Sequence, residues 1–265
     1  MYKRQVLNGF HSLSINKEHE ISPFSDSEST RNYYRDEVWV YRAMLAWFKE
    51  QGCSWGGIGK NRNGSYIDDK LIPAGASQSH PHSQGAAVYD FYPPWLMNHI
   101  GKFDGDLKLK TDSVGTILPG CPPCIEARYV PHDYVLERNH LFVSYLNPNP
   151  RLLPPNQYEI VITPSNHQSR FDDITDGHAE YFVGILHRTM QKFSNLGNPG
   201  FNFVLYQGPW NVQSPLYNRD SFHWQFKIYP AYNRKTEKHD GFMSLLLGVP
   251  VLTEAPESLA QRLKT

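Results

Sequence analysis

The stretch "AGASQSHPHSQGAAV", residues Ala74 to Val88, decides how the fold and the chemistry of this chain are interpreted. It places two histidines one residue apart, behind a run of small residues and ahead of an apolar run. On a strand, side chains two residues apart lie on the same side, so His80, His82 and Gln84 would share one face. The stretch therefore predicts a strand with two imidazoles and an amide on one face.

The small residues before the histidines favour an anion site. Gly75, Ala76 and Ser77 would let backbone N–H groups and one hydroxyl approach a phosphate closely. An imidazole can attack phosphorus when a hydrogen bond to its other ring nitrogen fixes the tautomer. The stretch thus fits a phosphate site that contains a nucleophile. An isolated His-x-His pair is also typical of solvated or structural histidines, so the functional interpretation depends on the whole string.

The composition of the chain argues against several kinds of partner. The 265 residues include 26 basic and 26 acidic side chains, and this balance offers no electrostatic attraction to nucleic acid or to an anionic membrane. The N-terminus has no basic region followed by an apolar segment, and no apolar run reaches the length of a membrane span. We therefore expect a soluble, cytoplasmic protein without a nucleic-acid or membrane partner.

Hydrophobic patterns before the histidine motif predict one helix. The segment "DEVWVYRAMLAWFKEQG" would place Val40, Met44, Trp47 and Phe48 on one helical face, and Gly52 would end the helix. The first 34 residues or so are polar and weakly periodic, which predicts a segment that wraps a surface or is partly mobile.

The second part of the chain predicts a sheet with one long helix. Four segments rich in β-branched and aromatic residues read as strands, namely "HLFVSYL", "QYEIVITP", "FNFVLYQG" and "HWQFKIYPA". Between the second and third of them, "ITDGHAEYFVGILHRTMQKFSNLG" has the period of a helix packed on a sheet. Strands with a helix between them indicate an α+β domain.

The three cysteines do not form a disulfide framework in a chain of this length. Cys121 and Cys124 are a close pair, which in a reducing compartment indicates metal binding or redox chemistry. Cys53 is most simply a buried core residue.

With these residues in place, a family resemblance is definite. Ser77-x-x-His80-Pro81-His82-x-Gln84 resembles the active-site motif of the galactose-1-phosphate uridylyltransferase family. This branch of the histidine-triad superfamily includes sugar-nucleotide and diadenosine tetraphosphate phosphorylases, and its members contain two related α+β repeats. The resemblance implies that His82 is the nucleophile of a covalent nucleotidyl-histidine. It also implies that Ser77 and Gln84 hold the transferring phosphate, and that the His80 carbonyl orients the His82 ring.

Most of the second part of the chain resembles the second repeat of that family. The Cys-x-x-Cys pair Cys121 and Cys124 falls in the family order with His167, after "IVITP", and His223, before "WQF". Two thiolates and two imidazoles make a closed tetrahedral zinc site with no open position, so the zinc would be structural. Two buried thiols or a redox pair are the alternatives for the cysteines.

The first repeat departs from the family pattern. Nothing upstream of residue 74 offers a Cys-x-x-Cys pair, so His80, which would complete a first zinc site, is expected to lack it. Only a helix and a strand precede the motif where the family has most of a sheet. The phosphate-contacting Asn-x-Gly of the family is not evident, and Asn63-Gly64 could serve only if "SYIDDKLIP" is an insertion.

The second repeat departs from the pattern at an additional metal site. Gln207 stands where a ligating histidine is expected, and the His-x-His of the uridylyltransferases reads His223-Trp224-Gln225. Neutral amides are poor ligands for zinc or iron, so we expect this additional site to be lost.

These observations lead to one expected architecture and three functional hypotheses. We expect an α+β fold with a histidine-triad-like antiparallel sheet and two related repeats, a shortened one over 1–115 and a second over 116–265. The leading hypothesis is a nucleotidyltransferase or phosphorylase that acts on a nucleotide or sugar-phosphate substrate by double displacement through His82. The alternatives are a remodelled nucleotide-binding or biosynthetic protein without nucleotidyl transfer, and a dinucleoside polyphosphate hydrolase. A truncated first sheet would leave an unpaired edge, so we expect a homodimer.

Overall fold

The computed structural model describes the chain over residues 9–17, 22–64, 66–67, 70–71, 76, 80–89, 92–93, 96, 110–112, 115–117, 121–148, 158–197, 200–211, 222–230 and 246. In these ranges the α-helices are α1 (Glu28–Glu50), α2 (Pro122–Tyr129) and α3 (Asp176–Gln191). The strands are β1 (Gly9–Ile15), β2 (Trp55–Arg62), β3 (Tyr66–Ile67), β4 (Lys70–Leu71), β5 (His82–Val88), β6 (Lys110–Asp112), β7 (Gly115–Ile117), β8 (Val135–Arg138), β9 (Phe142–Leu146), β10 (Ile160–Pro164), β11 (Phe201–Tyr206) and β12 (Gln225–Pro230). Short 3-10 turns cover His132–Tyr134 and Lys192–Leu196.

One antiparallel sheet of eight strands runs through the molecule in the order β1-β5-β2-β11-β12-β10-β9-β8. The order β1-β5-β2 on one side mirrors β10-β12-β11 on the other, and each set has its long helix between its first and second strand along the chain. The sheet is therefore built from two related units that meet where β2 pairs with β11. The second unit continues into β9 and β8, whereas the described part of the first unit ends at β1. This arrangement confirms the α+β fold with a shortened first repeat.

The predicted first helix is confirmed, but it begins earlier than its hydrophobic pattern indicates. Ser27 caps α1 by accepting a hydrogen bond from Thr30 N at 3.2 Å, which stabilises an otherwise unpaired N–H of the first turn. Gly52, with φ of 80°, follows the C-cap and stops the helix. Of the predicted face, Met44 and Phe48 are buried, whereas Trp47 is 42% exposed. The buried face of the helix differs from the predicted face because it includes three tyrosines that the prediction left out, Tyr33, Tyr34 and Tyr41.

The first 34 residues or so, expected to wrap a surface or be partly mobile, contain regular structure where the structure describes them. Residues Gly9–Ile15 form β1, which pairs with β5 along its whole length, from Gly9 opposite Val88 to Ile15 opposite His82. The side chains of Leu13 and Ile15 are more than half exposed, while Ser12 and Ser14 occupy the other face. Only Phe10 adds a large apolar side chain to the face of Ser12 and Ser14, so the hydrophobicity of β1 does not alternate as in a half-buried strand and does not reveal it.

The predicted elements of the second part are confirmed as β9, β10, α3, β11 and β12. Thr175 caps α3 by accepting a hydrogen bond from His178 N at 3.2 Å. Phe182, Leu186 and Met190 are fully buried, as expected for the sheet-facing side of this helix.

The two long helices define two different faces of the sheet. Both α1 and α3 pack on one face, together with inward side chains of β2, β10, β11 and β12 in one core. We call the opposite side the front face. Helix α2 covers the front face of the second unit, where Ala127 packs with Val143, Tyr145 and Val161. In the described ranges no helix combines the length and the apolar character needed to cross a membrane.

Candidate functional site

The alternation along β5 sends the motif side chains to the front face. Ser83, the residue between the two front-face positions, points at α1, where its Oγ lies 2.6 Å from Glu37 Oε2. A Cβ at Gly85 would lie 2.8 Å from the Phe48 ring of α1, so this position also faces the helix. His82 and Gln84 consequently project to the front face. His82 is only 8% exposed despite lying at the beginning of its strand.

The tautomer of His82 is set by its neighbour two residues back. His82 Nδ1 lies 2.8 Å from the carbonyl oxygen of His80, so Nδ1 carries a proton and donates it to that carbonyl. The lone pair of the ring then resides on Nε2, which is 3.5 Å from Gln84 Nε2. The geometry supplies an oriented imidazole with its second ring nitrogen, Nε2, directed along the front face.

The His80 side chain makes a hydrogen bond to the segment that follows β1. Its Nε2 lies 2.5 Å from the Asn16 carbonyl oxygen, and Asn16 N donates to Pro81 O at 3.1 Å. These two contacts attach the segment after β1 to the residues just before β5. His80 is engaged as a hydrogen-bonding side chain, and it is not part of a described His/Cys cluster.

The segment expected to hold phosphate is described only at Ala76, because Gly75 and Ser77 lie outside the described residues. Ala76 N donates to Asn63 Oδ1 at 3.3 Å, and Asn63 Nδ2 donates to Ala76 O at 3.1 Å. The side chain of Asn63 thus binds the backbone of this segment the way a neighbouring strand would. The Asn63 side chain therefore holds this segment next to the end of β2, and the N–H of Ala76 is already hydrogen-bonded to it.

Two residues near the histidine were not singled out in the sequence. Asn61 lies on the front face of β2, two residues beyond Gly59, which pairs with Gln84. Its partner on β11 is Asn202, so two buried amides continue the row of polar side chains across the junction of the two units. The alternation of side chains along "GIGKN", residues 57–61, could have indicated that Asn61 lies on the front face. His11 on β1 lies with its Nε2 3.0 Å from Gln84 Oε1, and no local signal could have found it.

A buried charged network lies directly behind the motif. Lys60 Nζ donates to Glu37 Oε1 at 2.9 Å, and the Lys60 side chain is fully buried. Ser83 and Tyr41 both donate hydroxyl hydrogen bonds to Glu37 Oε2, and Lys60 also donates to the Tyr33 hydroxyl. The ion pair therefore joins α1 to β2, and the hydrogen bond from Ser83, the residue next to His82, joins β5 to the same carboxylate.

Opposing effects act on the pKa values of this pair. Burial alone would raise the pKa of Glu37, but the charge of Lys60 and the hydrogen bonds from Ser83 and Tyr41 outweigh it and lower the pKa. Burial lowers the pKa of Lys60, and the charge of Glu37 offsets part of that shift. Glu37 is consequently ionised at neutral pH, with its charge balanced by hydrogen bonds from three side chains.

The four predicted metal ligands meet on the second unit. The ligand atoms of Cys121, Cys124, His167 and His223 all lie within 4.8 Å of one another, although the residues are spread over more than 100 positions. Cys124 Sγ is 3.2 Å from His223 Nδ1 and 3.3 Å from His167 Nδ1, and Cys121 Sγ is 3.9 Å from His223 Nδ1. A tetrahedral zinc ion would separate sulfur and nitrogen ligands by about 3.5 Å, so these spacings fit such an ion.

The protonation of the cluster also fits a cation. His223 Nε2 donates to the Pro164 carbonyl at 3.1 Å, which leaves Nδ1 unprotonated and directed at the sulfurs. Burial lowers the pKa of His223, so the ring is neutral. The hydrogen bond from Cys121 lowers the pKa of Cys124 against the opposing effect of burial, and the resulting thiolate is a suitable metal ligand.

The second unit has no histidine where the first unit has His82. Gln225 begins β12 as His82 begins β5, and it is buried on the front face opposite Tyr206. Lys227 follows two residues later and forms an ion pair with Glu159 at 3.2 Å. A carboxamide is not a nucleophile towards phosphorus, so the two related units are chemically unequal. Gln207, the other residue at an expected metal position, accepts a hydrogen bond from Phe171 N through Oε1 at 3.1 Å.

Comparisons with known proteins agree with the resemblance of the motif. No protein-family model matches the chain. An ADP-glucose phosphorylase from Arabidopsis thaliana is 28% identical over 159 residues, which is 59% of this chain and 40% of that protein. An uncharacterized HIT-like protein from Methanocaldococcus jannaschii is 27% identical over 103 residues, covering 39% of this chain and 71% of that protein. The chain thus matches less than half the length of the plant phosphorylase.

Solved structures match over nearly the whole chain. A GalT-like protein from Arabidopsis thaliana superposes with a TM-score of 0.61 at 23% identity, covering 96% of this chain and 74% of the other. A uridylyltransferase mutant superposes with a TM-score of 0.61 at 19% identity, covering 97% and 77% of the two chains. The chain therefore has the fold of the galactose-1-phosphate uridylyltransferase family, as the His-Pro-His motif predicts.

Proposed function

We propose that this protein is a nucleotidyltransferase or phosphorylase that acts on a sugar nucleotide or a related nucleotide through a covalent nucleotidyl-histidine at His82. The observation that carries the proposal is the 2.8 Å contact from His82 Nδ1 to the His80 carbonyl, which leaves the lone pair of Nε2 on the front face. A partial match to an ADP-glucose phosphorylase and a fold shared with a uridylyltransferase support the same class of chemistry.

The reaction divides into two displacements at one phosphorus atom. In the first, His82 Nε2 forms a bond to the α-phosphorus of the nucleotide, and the bond from phosphorus to the leaving sugar phosphate breaks. In the second, an oxygen of an acceptor phosphate attacks the same phosphorus and the bond to Nε2 breaks. The proton on Nδ1 stays in place throughout. The His80 carbonyl that accepts it stabilises the positive charge that the ring acquires in the intermediate.

Gln84 is the proposed phosphate-orienting group of the same face. Its Nε2 lies 3.5 Å from the nucleophilic nitrogen, so an amide N–H is available to a non-bridging oxygen of a phosphorus bound at His82. Ser77 and the backbone of Gly75 are proposed to complete the phosphate contacts, as the family motif implies.

The proposal is tested by intact-protein mass spectrometry after incubation with a panel of sugar nucleotides and dinucleoside polyphosphates. Wild-type protein should gain the mass of one nucleoside monophosphate, and His82→Gln should gain none while it still binds the nucleotide. His132→Gln is the matched control, because it makes the same substitution at an exposed histidine in a surface turn and should keep the adduct.

Other outcomes of this experiment identify the alternatives. A folded protein that forms no adduct with any donor refutes nucleotidyl transfer and favours a remodelled nucleotide-binding protein. An adduct that water releases as fast as phosphate does would assign a dinucleoside polyphosphate hydrolase instead. The identity of the adduct would also name the base.

We further propose that Cys121, Cys124, His167 and His223 hold one structural zinc ion. Four protein ligands leave no open coordination position, and the ligand atoms lie close enough to surround one ion. Such an ion would join the start of α2 to the segments that follow β10 and precede β12. It would contribute folding free energy and no chemistry at the front face.

Metal analysis of the purified protein tests this site. We expect about one zinc per chain, and Cys124→Ser should lose the metal and lower the thermal midpoint. Cys53→Ser is the control, because this buried cysteine lies outside the cluster and should retain the zinc. A wild-type preparation that is folded and free of metal would contradict the assignment.

A homodimer is proposed on the basis of β1, which ends the sheet and pairs only with β5 among the described strands. The outer edge of a terminal strand is commonly covered by a second copy. Measurement of the mass in solution tests the proposal, and a monomeric mass at micromolar concentration would contradict it.

A further inference from the structure

His11 is an exposed histidine of β1 that the mechanism has not used. Ile15 pairs with His82 and Leu13 with Gln84, so the alternation of β1 places His11 on the front face beside the motif. Its Nε2 lies 3.0 Å from Gln84 Oε1, although the two residues are 73 positions apart in the chain. The imidazole of an edge strand is therefore in direct contact with the side chain proposed to orient phosphate.

The donors and acceptors in this row fix the direction of the Gln84 amide. His11 donates from Nε2 to Gln84 Oε1, and this places the NH2 end of the amide towards His82 Nε2, 3.5 Å away. In the reverse orientation, Oε1 would face the lone pair of His82 and the NH2 group would face the N–H of His11. The contact with His82 would then be repulsive, and His11 would have to move its proton to Nδ1 to accept from the NH2 group, so the first orientation is preferred in the resting protein.

The contacts that orient the Gln84 amide change when His82 reacts. Once His82 Nε2 is bonded to phosphorus, its lone pair no longer attracts the NH2 end of Gln84. Among the contacts given above, only the hydrogen bond from His11 still holds the amide in the direction that offers its N–H groups to the phosphate oxygens. The resting enzyme has two determinants of this orientation, and the covalent intermediate has one.

We propose that His11 is a positioning residue that keeps the Gln84 amide directed at the phosphate in the nucleotidyl-histidine intermediate. The inference rests on the proposed covalent function of His82. Loss of His11 should therefore slow the breakdown of the intermediate more than its formation.

Rapid-quench mass spectrometry of the adduct separates the two steps. His11→Phe keeps an aromatic ring without a donor, and we expect adduct breakdown on addition of phosphate to slow on the order of tenfold, with a smaller effect on formation. The adduct should therefore accumulate in steady state. His11→Gln restores a donor NH2 group and should recover most of the breakdown rate.

A double-mutant cycle tests whether His11 acts through Gln84. In a Gln84→Ala background, His11→Phe should have no further effect on breakdown, because the amide that it orients is absent. His178→Phe is the matched control, since His178 makes a similar contact with an amide, Gln168 Nε2 at 3.4 Å, on the second unit. Equal slowing of both steps by His11→Phe, or additive effects with Gln84→Ala, would overturn the proposal.

An independent readout covers the case in which no donor gives an adduct. In protein labelled with nitrogen-15, the side-chain amide signals of Gln84 should shift in His11→Phe and return towards their wild-type positions in His11→Gln. Such a shift without any adduct would refute the proposed transfer activity while it supports the contact. Unchanged Gln84 signals would overturn the His11 inference whatever the activity of the protein.

Discussion

Replacement of Lys60 by methionine is the most informative test of how the site is supported. The ammonium of Lys60 is buried and lies 2.9 Å from Glu37, while the carboxylate is 8% exposed and holds Ser83, the residue next to His82. Lys60→Met fills a similar volume but removes the cation. Glu37 is then a buried anion that has lost its ion-pair partner, still bonded to the hydroxyls of Tyr41 and Ser83, while the charge of Arg62 acts on the neighbouring Tyr33.

The expected loss of stability follows from these contacts. Breaking a buried ion pair by removing one partner costs about 3–5 kcal/mol. Because Glu37 keeps two hydroxyl donors, we expect Lys60→Met to cost about 3 kcal/mol, the lower end of that range. The double variant Glu37→Gln with Lys60→Met removes both charges, and we expect it to be less destabilised than Lys60→Met alone. Urea unfolding followed by circular dichroism measures the free energies.

The direction in which the unfolding free energy changes with pH distinguishes this explanation from simple loss of packing. In the wild type, the pKa of Glu37 is lowered in the folded state. Its contribution to stability is therefore complete above the unfolded pKa of about 4.3 and is lost as pH falls through the lower folded value. In Lys60→Met, burial would dominate and raise the folded pKa, so the stability of the variant relative to wild type should improve as pH falls.

Lys192→Met is the matched control, because Lys192 is 44% exposed and forms its ion pair with Glu137, at 3.1 Å, at the protein surface. We expect that control to change the unfolding free energy by about 0.5 kcal/mol or less. The reasoning would be refuted if Lys60→Met behaved like this control, or if the costs of Lys60→Met and Glu37→Gln simply added.

Two further predictions concern the packing and capping of the helices. Gly85→Ala should destabilise the protein by about 1–3 kcal/mol, because its Cβ would lie 2.8 Å from the Phe48 ring. Gly184→Ala should be neutral or stabilising, because its Cβ would meet only the end of the Arg188 side chain, at 3.4 Å. Equal effects of the two substitutions in urea unfolding would contradict this explanation. Thr175→Ala should cost about 1 kcal/mol, because it removes the side-chain acceptor at the start of α3. Thermal unfolding by circular dichroism measures this loss, and Thr175→Ser should restore most of it.

The sequence by itself determined the features that depend on neighbours close along the chain. The spacing placed His82 and Gln84 on one face of β5, whereas His80, expected on the same face, lies before the strand, which begins at His82. The contact from His82 to the His80 carbonyl follows from residues two positions apart. The long helix α3 and the strands around it are confirmed because their apolar period and their capping residues are local. The family motif also indicated which distant cysteines and histidines meet, although spacing alone would not have paired them.

Only the tertiary structure decided how distant segments combine around the motif. Strand β1 was missed because two of its three large apolar residues, Leu13 and Ile15, are exposed, and it is held by pairing with β5. Lysines are mostly exposed in proteins, yet Lys60 is buried, because its side chain points to the face on which α1 packs and α1 brings Glu37 to it. The contact of His11 with Gln84 depends on the β1–β5 register. A shift of that register by one residue would send His11 to the other face, and no local pattern contains this information.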